Sequence, residues 1–230
     1  MTPKLLICGD PHGQFDHIIE AVESHQPVAI ILLGDIQPKR PLDQELASIL
    51  DKTQVWWIHG NHDTDSDADF DNLFNSGLSD RNLHGQVVDI AGVKVAGLGG
   101  IFRGQVWYPD APPRFHTPAQ FLANCGKGNR WREGLPRKHR STIFPEDISA
   151  FNEQRADILV THEAPSYHPH GFSVIDELAK SLGVRSAFHG HLHENTAYLN
   201  AFENEDIKAY GVADRCISDV AGLSITSLTN

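Results

Sequence analysis

Short apolar segments of strand length recur along this chain of 230 residues, and they constrain its fold more than any other feature. Most of them are continuously apolar rather than alternating, which is typical of strands that are buried on both faces of a sheet. They predict strands at residues 4–8, 28–33, 55–58, 86–90, 93–98, 158–161, 186–189, 197–199, 207–212 and 223–225. The strands at 86–90 and 93–98 flank Ala91-Gly92, so we expect a hairpin there.

Segments with helical spacing of apolar residues lie between the predicted strands. They predict helices at residues 13–24, 41–50, 145–154 and 174–181. Strands and helices alternate before residue 60 and again after residue 145, which indicates an α/β fold with parallel strand pairs. The last strands follow one another with little helix between them, so we also expect some antiparallel pairing, in one mixed sheet or two.

Five polar clusters directly follow predicted strands, and each contains Asp, Asn or His. They are Gly9-Asp10-Pro11-His12-Gly13, Gly34-Asp35, Gly60-Asn61-His62-Asp63, Thr161-His162-Glu163 and Gly190-His191-Leu192-His193. Functional sites of open α/β sheets form in the crevice beyond the carboxyl ends of the strands. We therefore expect the five clusters to meet at one rim of the fold.

The residue types in these clusters suit divalent metal ions. Carboxylates and imidazoles without thiolates fit manganese, iron, cobalt, nickel or zinc. Asp10 and His12 are two residues apart, as are His191 and His193, and in an extended backbone this spacing directs both side chains to one side. The alternative, in which Asp10 and Asp35 only cap the following helices, does not explain the accompanying Asn-His and His-x-His pairs.

Composition and charge argue against several other classes of protein. The formal net charge of −11 argues against a general nucleic-acid coat, although bound metal ions would still attract an anionic substrate. The longest apolar segment, residues 28–33, is too short to span a bilayer. The three cysteines lack CxxC spacing and the N-terminus lacks signal-peptide features, so we expect reduced thiols and a cytoplasmic protein without a membrane partner.

In their order along the chain, the clusters resemble the motifs of the calcineurin-like metallophosphoesterase superfamily. The family pattern is Asp-x-His, Gly-Asp, Gly-Asn-His-Asp/Glu, a lone His and Gly-His-x-His, and every part is present between residues 10 and 193. The resemblance implies an α/β fold of mixed β-sheets packed as a sandwich and flanked by helices. The chain length fits a single domain over residues 1–230, with an irregular insertion loop at about residues 99–142.

The resemblance also implies a role for each polar side chain. One divalent ion would be held by Asp10, His12, Asp35 and His193, and a second by Asp35, Asn61, His162 and His191. Asp35 would bridge the two ions, and a hydroxide between them would attack phosphorus. His62 would be the catalytic residue, as general acid or as a transition-state stabiliser.

One position departs from the pattern of the family's Ser/Thr protein phosphatases and diadenosine tetraphosphate hydrolases. In those enzymes an Asp three residues after the Gly-Asp pair orients the catalytic His, and the next residue, Arg, binds phosphate. Pro38 and Lys39 occupy these positions here. The departure counts against a protein phosphatase and leaves His62 without its usual partner, a role that Asp63 could take.

The insertion, residues 99–142, shows no sustained periodicity and is rich in Gly, Pro, Arg and aromatic residues. Loops of this length are usually functional or disordered. Its arginines could fold over the metal rim and bind phosphate, and the candidates for substrate binding are Arg103, Arg114, Arg137 and Arg140. A solvated loop with scattered charge is the alternative, while the acidic remainder of the chain argues against nucleic acid as a partner.

The expected function is a metal-dependent phosphoesterase that hydrolyses phosphomonoesters or phosphodiesters of small molecules or nucleotides. A protein phosphatase, a nuclease and a non-catalytic scaffold on the same fold are the alternatives. The nucleases of the family usually carry long additional domains. A scaffold is expected to have lost metal ligands, whereas here every ligand position and the catalytic position are filled.

Overall fold

The computed structural model describes residues 4–198 and 207–225. In this range the strands, β1–β10 in chain order, are Leu5–Cys8, Ala29–Leu32, Gln54–Trp57, Gln86–Ile90, Val93–Leu98, Ile158–Thr161, Ser186–His189, Thr196–Tyr198, Lys208–Gly211 and Ile217–Asp219. The α-helices, α1–α6, are Asp16–His25, Leu42–Glu45, Asp67–Phe74, Pro118–Asn124, Pro145–Ser149 and Ser173–Leu182. Short 3-10 helices cover His62–Thr64, Ser79–Arg81, Lys127–Asn129 and Arg137–Ser141.

The strands form two mixed sheets. The first has the order β10-β1-β2-β3, in which β1, β2 and β3 are parallel and β10 is antiparallel. The second has the order β4-β5-β6-β7-β9-β8, with parallel pairs from β5 to β9 and antiparallel pairs at both edges. The predicted α/β fold with mixed sheets is confirmed, as is the hairpin, whose turn residues Ala91 and Gly92 both have positive φ.

The apolar side chains form layers on both sides of each sheet. In β1, Leu5 and Ile7 pack in a cluster that contains residues of both sheets, whereas Leu6 and Cys8 pack in a cluster with α1. A third cluster joins the second sheet to α6. The order of layers is therefore helix, sheet, sheet, helix, and it explains why the strand segments are continuously apolar.

Several elements differ from the sequence-based predictions. The predicted helix at 41–50 is wrong beyond α2, because the chain continues as turns after Glu45. The apolar residues that suggested a longer helix, Leu42, Leu46 and Ile49, are nevertheless buried. The predicted strand at 223–225 is reduced to a bridge between Ser218 and Ser224. The predicted strand at 197–199 corresponds to β8, and residue 199 lies outside the described residues.

Helix α3 and strand β10 were not predicted. Helix α3 begins after Ser66, whose hydroxyl accepts a hydrogen bond of 3.0 Å from the Asp69 amide and caps the helix. The short strand β10 is defined by its antiparallel pairing with β1, in which Leu6 lies opposite Asp219. Pairing of this kind depends on residues far apart in sequence and leaves little local signal.

The insertion is not wholly irregular, which corrects the expectation for residues 99–142. It contains α4 and two of the 3-10 helices, and an Ile101–Thr142 bridge closes its base. Arg132 forms an ion pair with Asp71 of α3, and the Trp131 ring packs edge-on against Phe70 at a centroid distance of 4.8 Å. The insertion is therefore docked on α3.

Across residues 4–198 and 207–225, no helix combines the length and the apolar character that crossing a membrane requires.

Candidate metal centre

The predicted metal ligands lie at the carboxyl ends of parallel strands. Asp10 follows β1, Asp35 follows β2 and Asn61 follows β3 in the first sheet, while His162 follows β6 and His191 follows β7 in the second. Because β1–β3 are mutually parallel, as are β6 and β7, the polar side chains of each sheet meet at one edge. The two sheets bring these edges together, and the predicted meeting of the clusters is observed.

One group of candidate ligands consists of Asp10, His12 and His193, whose donor atoms lie within 4.8 Å of one another. The Nε2 atoms of His12 and His193 are 3.4 Å apart, and Nε2 of His193 is 3.3 Å from Oδ2 of Asp10. The other carboxylate oxygen of Asp10, Oδ1, is buried and has no hydrogen-bond partner. Ring nitrogens that face each other beside an unpaired buried carboxylate oxygen fit a bound cation.

A second group consists of Asp35, His162 and His191, again with donor atoms within 4.8 Å of one another. Nε2 of His162 lies 3.4 Å from Oδ2 of Asp35 and 3.3 Å from the side-chain oxygen of Asn61. Asn61 therefore joins this group. Carboxylate, imidazole and amide ligands without a thiolate suit a divalent metal ion.

Hydrogen bonds fix the orientation of two ligand imidazoles. Nδ1 of His162 donates to the carbonyl oxygen of Leu33 at 2.8 Å, and Nδ1 of His12 donates to the side-chain oxygen of Gln37 at 2.7 Å. Since these oxygens can only accept, each Nδ1 carries a proton, and in the neutral form of the ring the lone pair of Nε2 faces the site. This arrangement is typical of metal-binding histidines.

The charges of the second group support each other across a buried contact. Burial opposes the charge of Asp35, but the imidazolium of His162 outweighs it and holds the pKa of this carboxyl below its usual range. Burial also lowers the pKa of His162, yet the carboxylates of Asp35 and Asp10 raise it to about 10. A metal ion that bound Nε2 of His162 would have to displace the second proton of this ring.

Among the described residues, four of the twelve non-glycine residues with positive φ are candidate ligands. His12, Asp35, His191 and His193 have φ angles of 44°, 45°, 66° and 54°, in the left-handed region that non-glycine residues rarely adopt. Strain of this kind is found mainly at functional sites, where the surrounding structure enforces it.

Two glycines allow the ligands to come this close. A Cβ atom on Gly60 would collide with the carboxylate and amide of Asp35 and would lie 2.6 Å from Cε1 of His162. A Cβ atom on Gly190 would collide with Oδ1 of Asp10. Since glycine has no Cβ atom, Gly60 and Gly190 permit the close approach of these ligand side chains.

Residues 3–195 match the family described as calcineurin-like phosphoesterase. The chain belongs to the calcineurin-like phosphoesterase family. A protein of Haemophilus influenzae (strain Rd), described as uncharacterized, is 43% identical over 218 residues, which cover 95% of this chain and 94% of that protein. This relative gives no further indication of substrate.

Two solved structures share the fold. The protein TT1561 of Thermus thermophilus has a TM-score of 0.61 and 15% identity, and the match covers 98% of each chain. The phosphopantetheinyl hydrolase of Mycobacterium tuberculosis has a TM-score of 0.50 and 16% identity, over 93% of this chain and 90% of that one. At these identities the likeness concerns the fold alone, and it confirms the predicted fold class.

His62, the predicted catalytic residue, lies beside the first group of candidate ligands. Its ring centroid is 5.9 Å from that of His12, its side chain is 47% exposed, and its amide donates to Oδ1 of Asp35 at 2.8 Å. Nδ1 of His62 lies 2.5 Å from Oδ2 of Asp65. The partner of this histidine is therefore Asp65.

The prediction that Asp63 could pair with His62 is wrong. Asp63 is fully buried, and its carboxylate accepts hydrogen bonds of 2.8 Å from the amides of Ile36, Gln37 and Gly60. It anchors the loop between β2 and α2 to the loop after β3. Side chains three residues apart in a 3-10 helix lie on the same side, which explains why Asp65 and not Asp63 faces His62.

The four candidate arginines lie in different places. Nη1 of Arg103 donates to the carbonyl oxygen of Ser141 at 2.8 Å, and its guanidinium lies near the carboxyls of Glu163, Asp65 and Asp35. Arg137 instead contacts the turn after His62.

The other two arginines lie beside aromatic side chains. The guanidinium of Arg140 lies 5.5 Å from the Trp131 ring and 5.9 Å from the Phe70 ring. Arg114 lines a cleft of about 470 Å³ whose walls also include Phe115 and Phe121. No candidate metal ligand lines that cleft.

A larger cleft of about 730 Å³ adjoins the metal-ligand loop of this calcineurin-like protein. It begins at Gly13, directly after His12, and its wall includes Lys39 and Arg215. The stem of Lys39 lies against Gly13, and Nη1 of Arg215 is 3.5 Å from the side-chain oxygen of Gln14. The lining also includes Arg40 and the carboxylates of Asp16, Glu20 and Glu45, and Arg40 pairs with Glu45 while Arg215 pairs with Asp214.

Proposed function

We propose that the protein is a phosphoesterase that depends on two divalent metal ions and hydrolyses phosphomonoesters or phosphodiesters of small molecules or nucleotides. The observation that carries the proposal is the pair of adjacent donor groups beside His62. Membership of the calcineurin-like phosphoesterase family supports the reaction class.

The donor atoms suggest how the ions would be held. One ion would bind Asp10, His12 and His193, and the other would bind Asp35, Asn61, His162 and His191. The resemblance to the family implies that Asp35 would also hold the first ion. When bound, such ions supply Lewis-acid stabilisation of the phosphoryl oxygens and lower the pKa of an attacking water. Manganese, iron, nickel, cobalt and zinc all suit these ligands.

The protein's own contribution to the reaction would centre on His62. A bond forms between the attacking water oxygen and phosphorus as the bond from phosphorus to the leaving oxygen breaks. With Nδ1 committed to Asp65, only Nε2 of His62 is available to give its proton to that leaving oxygen. The backbone contact between the His62 amide and Asp35 keeps the ring beside the metal groups.

Neighbouring side chains suggest where the rest of the substrate would bind. The cleft that begins at Gly13 is large enough for a small organic group or a nucleotide. Lys39 would attract an anionic substrate on this side, and Arg103 is the best placed of the predicted arginines on the other. Pro38, where protein phosphatases have the orienting Asp, counts against that alternative.

The extent of the domain and the cellular location stay proposals. A single domain over residues 1–230 is supported by the pairing of β10, late in the chain, with β1 at its start. The cytoplasmic location rests on the sequence alone.

The test is an assay of metal-stripped protein that is resupplied with Mn²⁺, Co²⁺, Ni²⁺ or Zn²⁺. Para-nitrophenyl phosphate and bis-para-nitrophenyl phosphate distinguish a monoesterase from a diesterase. We expect metal-dependent turnover that falls by about 100-fold or more in His62→Ala and is lost in Asp35→Ala. The matched control is His116→Ala, which removes an exposed histidine of the insertion. Protein that binds two ions but hydrolyses neither ester with any of these metals would contradict the proposal.

A further inference from the structure

The turn that follows His62 is held by a side chain of the insertion. Arg137 begins the 3-10 helix Arg137–Ser141 and points its guanidinium at residues 64–67. Its Nε donates to the carbonyl oxygen of Thr64 at 3.2 Å, its Nη2 donates to the carbonyl oxygen of Asp65 at 2.7 Å, and its Nη1 pairs with the carboxylate of Asp67. Because the planar guanidinium has fixed donor directions, three such contacts define the position of the turn.

The other end of the same 3-10 helix reaches this turn as well. The hydroxyl of Ser141 lies 2.8 Å from that of Thr64, and both residues are buried. Thr64 also donates to the carbonyl oxygen of Asn61, a candidate metal ligand, at 3.2 Å. The insertion is therefore in contact with the backbone that carries both Asn61 and His62.

Asp65 lies at the centre of this turn and contacts His62 directly. Its Oδ2 is 2.5 Å from Nδ1 of His62, and a charged carboxylate oxygen can only accept a hydrogen bond. The ring proton next to Asp65 is thus on Nδ1, and the orientation of the ring is fixed. Pro38 has no carboxylate to offer, and both carboxylate oxygens of Asp63 are committed to backbone amides.

We propose that the insertion is a positioning element for His62. Arg137 and Ser141 hold the turn that carries Asp65, and Asp65 holds the His62 ring so that Nε2 faces the leaving oxygen. Asp65 and Arg137 are positioning residues, and the contacts with the turn commit three of the five N–H groups of Arg137. This inference rests on the proposed function for its effect on rate, although the geometry of the ring can be measured separately.

The kinetic test compares two substrates that differ in their leaving group. Phenyl phosphate needs a proton on its leaving oxygen much more than para-nitrophenyl phosphate does. In Asp65→Ala we expect kcat to fall by about 100-fold for phenyl phosphate and by less than about 10-fold for para-nitrophenyl phosphate, with KM and bound metal unchanged. In Arg137→Ala we expect kcat for phenyl phosphate to fall by about 10-fold, again with a smaller loss for para-nitrophenyl phosphate.

The matched control is Asp80→Ala, which removes a carboxylate of another 3-10 helix whose side chain is 76% exposed. It should leave both reactions unchanged. Equal losses on the two esters in Asp65→Ala, or full activity of that variant on phenyl phosphate, would overturn the role of Asp65. Unchanged kinetics in Arg137→Ala would overturn the role of the insertion.

A spectroscopic test separates this inference from the proposed function. In metal-free protein labelled with ¹⁵N at histidine, His62 should show a slowly exchanging proton on Nδ1. That signal should be lost in Asp65→Ala and retained in Asp80→Ala. If the wild type shows this proton but hydrolyses neither ester, the proposed function fails and the positioning stands; if Nδ1 of His62 carries no proton in the wild type, the positioning fails.

Discussion

Replacing Gly60 with alanine should destabilise the protein and weaken metal binding at the same time. The added Cβ atom would collide with the amide and the carboxylate of Asp35 and would lie 2.6 Å from Cε1 of His162. Neither neighbour can easily move away. The carboxylate of Asp35 accepts a hydrogen bond from the amide of His62, and His162 is tied to the carbonyl oxygen of Leu33.

The size of the effect follows from the rigidity of the two neighbours. Overfilling a packed interior lowers the free energy of unfolding by about 1–3 kcal/mol. Because the added atom would collide with fixed atoms on two sides, we expect a loss near the upper end, about 3 kcal/mol. For a chain of 230 residues, about 1 kcal/mol corresponds to a change in Tm of roughly 2–4 °C. The Tm of the metal-free protein should therefore fall by roughly 6–12 °C.

Two other glycines provide the controls for thermal unfolding in EDTA and for measurement of bound metal. A Cβ atom on Gly171 would collide with the carbonyl oxygen of Pro165, so Gly171→Ala should unfold early yet still bind metal. A Cβ atom on Gly104 would meet no neighbouring atom within 4 Å, so Gly104→Ala should resemble the wild type in both measurements. The reasoning is refuted if Gly60→Ala has the Tm of Gly104→Ala, or if it binds metal as well as Gly171→Ala does.

Three further predictions follow from single side chains. Burial raises the pKa of the Cys8 thiol to about 12. Iodoacetamide at pH 8 should therefore modify Cys125 and Cys216 but spare Cys8. Three rapid additions to the native protein, seen by mass spectrometry, would contradict this prediction. Burial lowers the pKa of His139 to about 4; because the unfolded chain takes up that proton near pH 6.5, folding stability should fall as pH drops from 6.5 towards 4. Urea unfolding at pH 7.5 and 5.0 should show a smaller loss in His139→Gln than in the wild type, and equal losses would refute the assignment. Lys39→Ala should raise KM for para-nitrophenyl phosphate by about 10-fold without loss of metal, and an unchanged KM would exclude Lys39 from substrate binding.

Much of the candidate site could be predicted from the sequence because its signals are local. A glycine followed by Asp, Asn or His at the end of an apolar strand segment is visible in a few residues, as at Gly34-Asp35 and Gly190-His191. The parallel order of the strands then brings these segments together without further information. The same reasoning succeeded for β1, β2, β6 and β7, whose segments are buried throughout.

The partner of His62 could not be predicted in this way. Asp63 and Asp65 are both close to His62 in sequence, and only the 3-10 conformation decides that residues 62 and 65 face each other. The carboxylate of Asp63 instead accepts hydrogen bonds from the amides of Ile36 and Gln37, which are 26 or more residues away in sequence. Docking of the insertion on α3 depends in the same way on contacts between distant residues.

The two-metal centre is tested most directly by locating metal ions in a crystal of the protein grown with Mn²⁺ and measured at the manganese absorption edge. We expect two anomalous peaks roughly 3.5–4 Å apart. One should lie against Asp10, His12 and His193, and the other against Asn61, His162 and His191, with Asp35 between them. A single peak, or two peaks away from these side chains, would contradict the proposed two-metal centre.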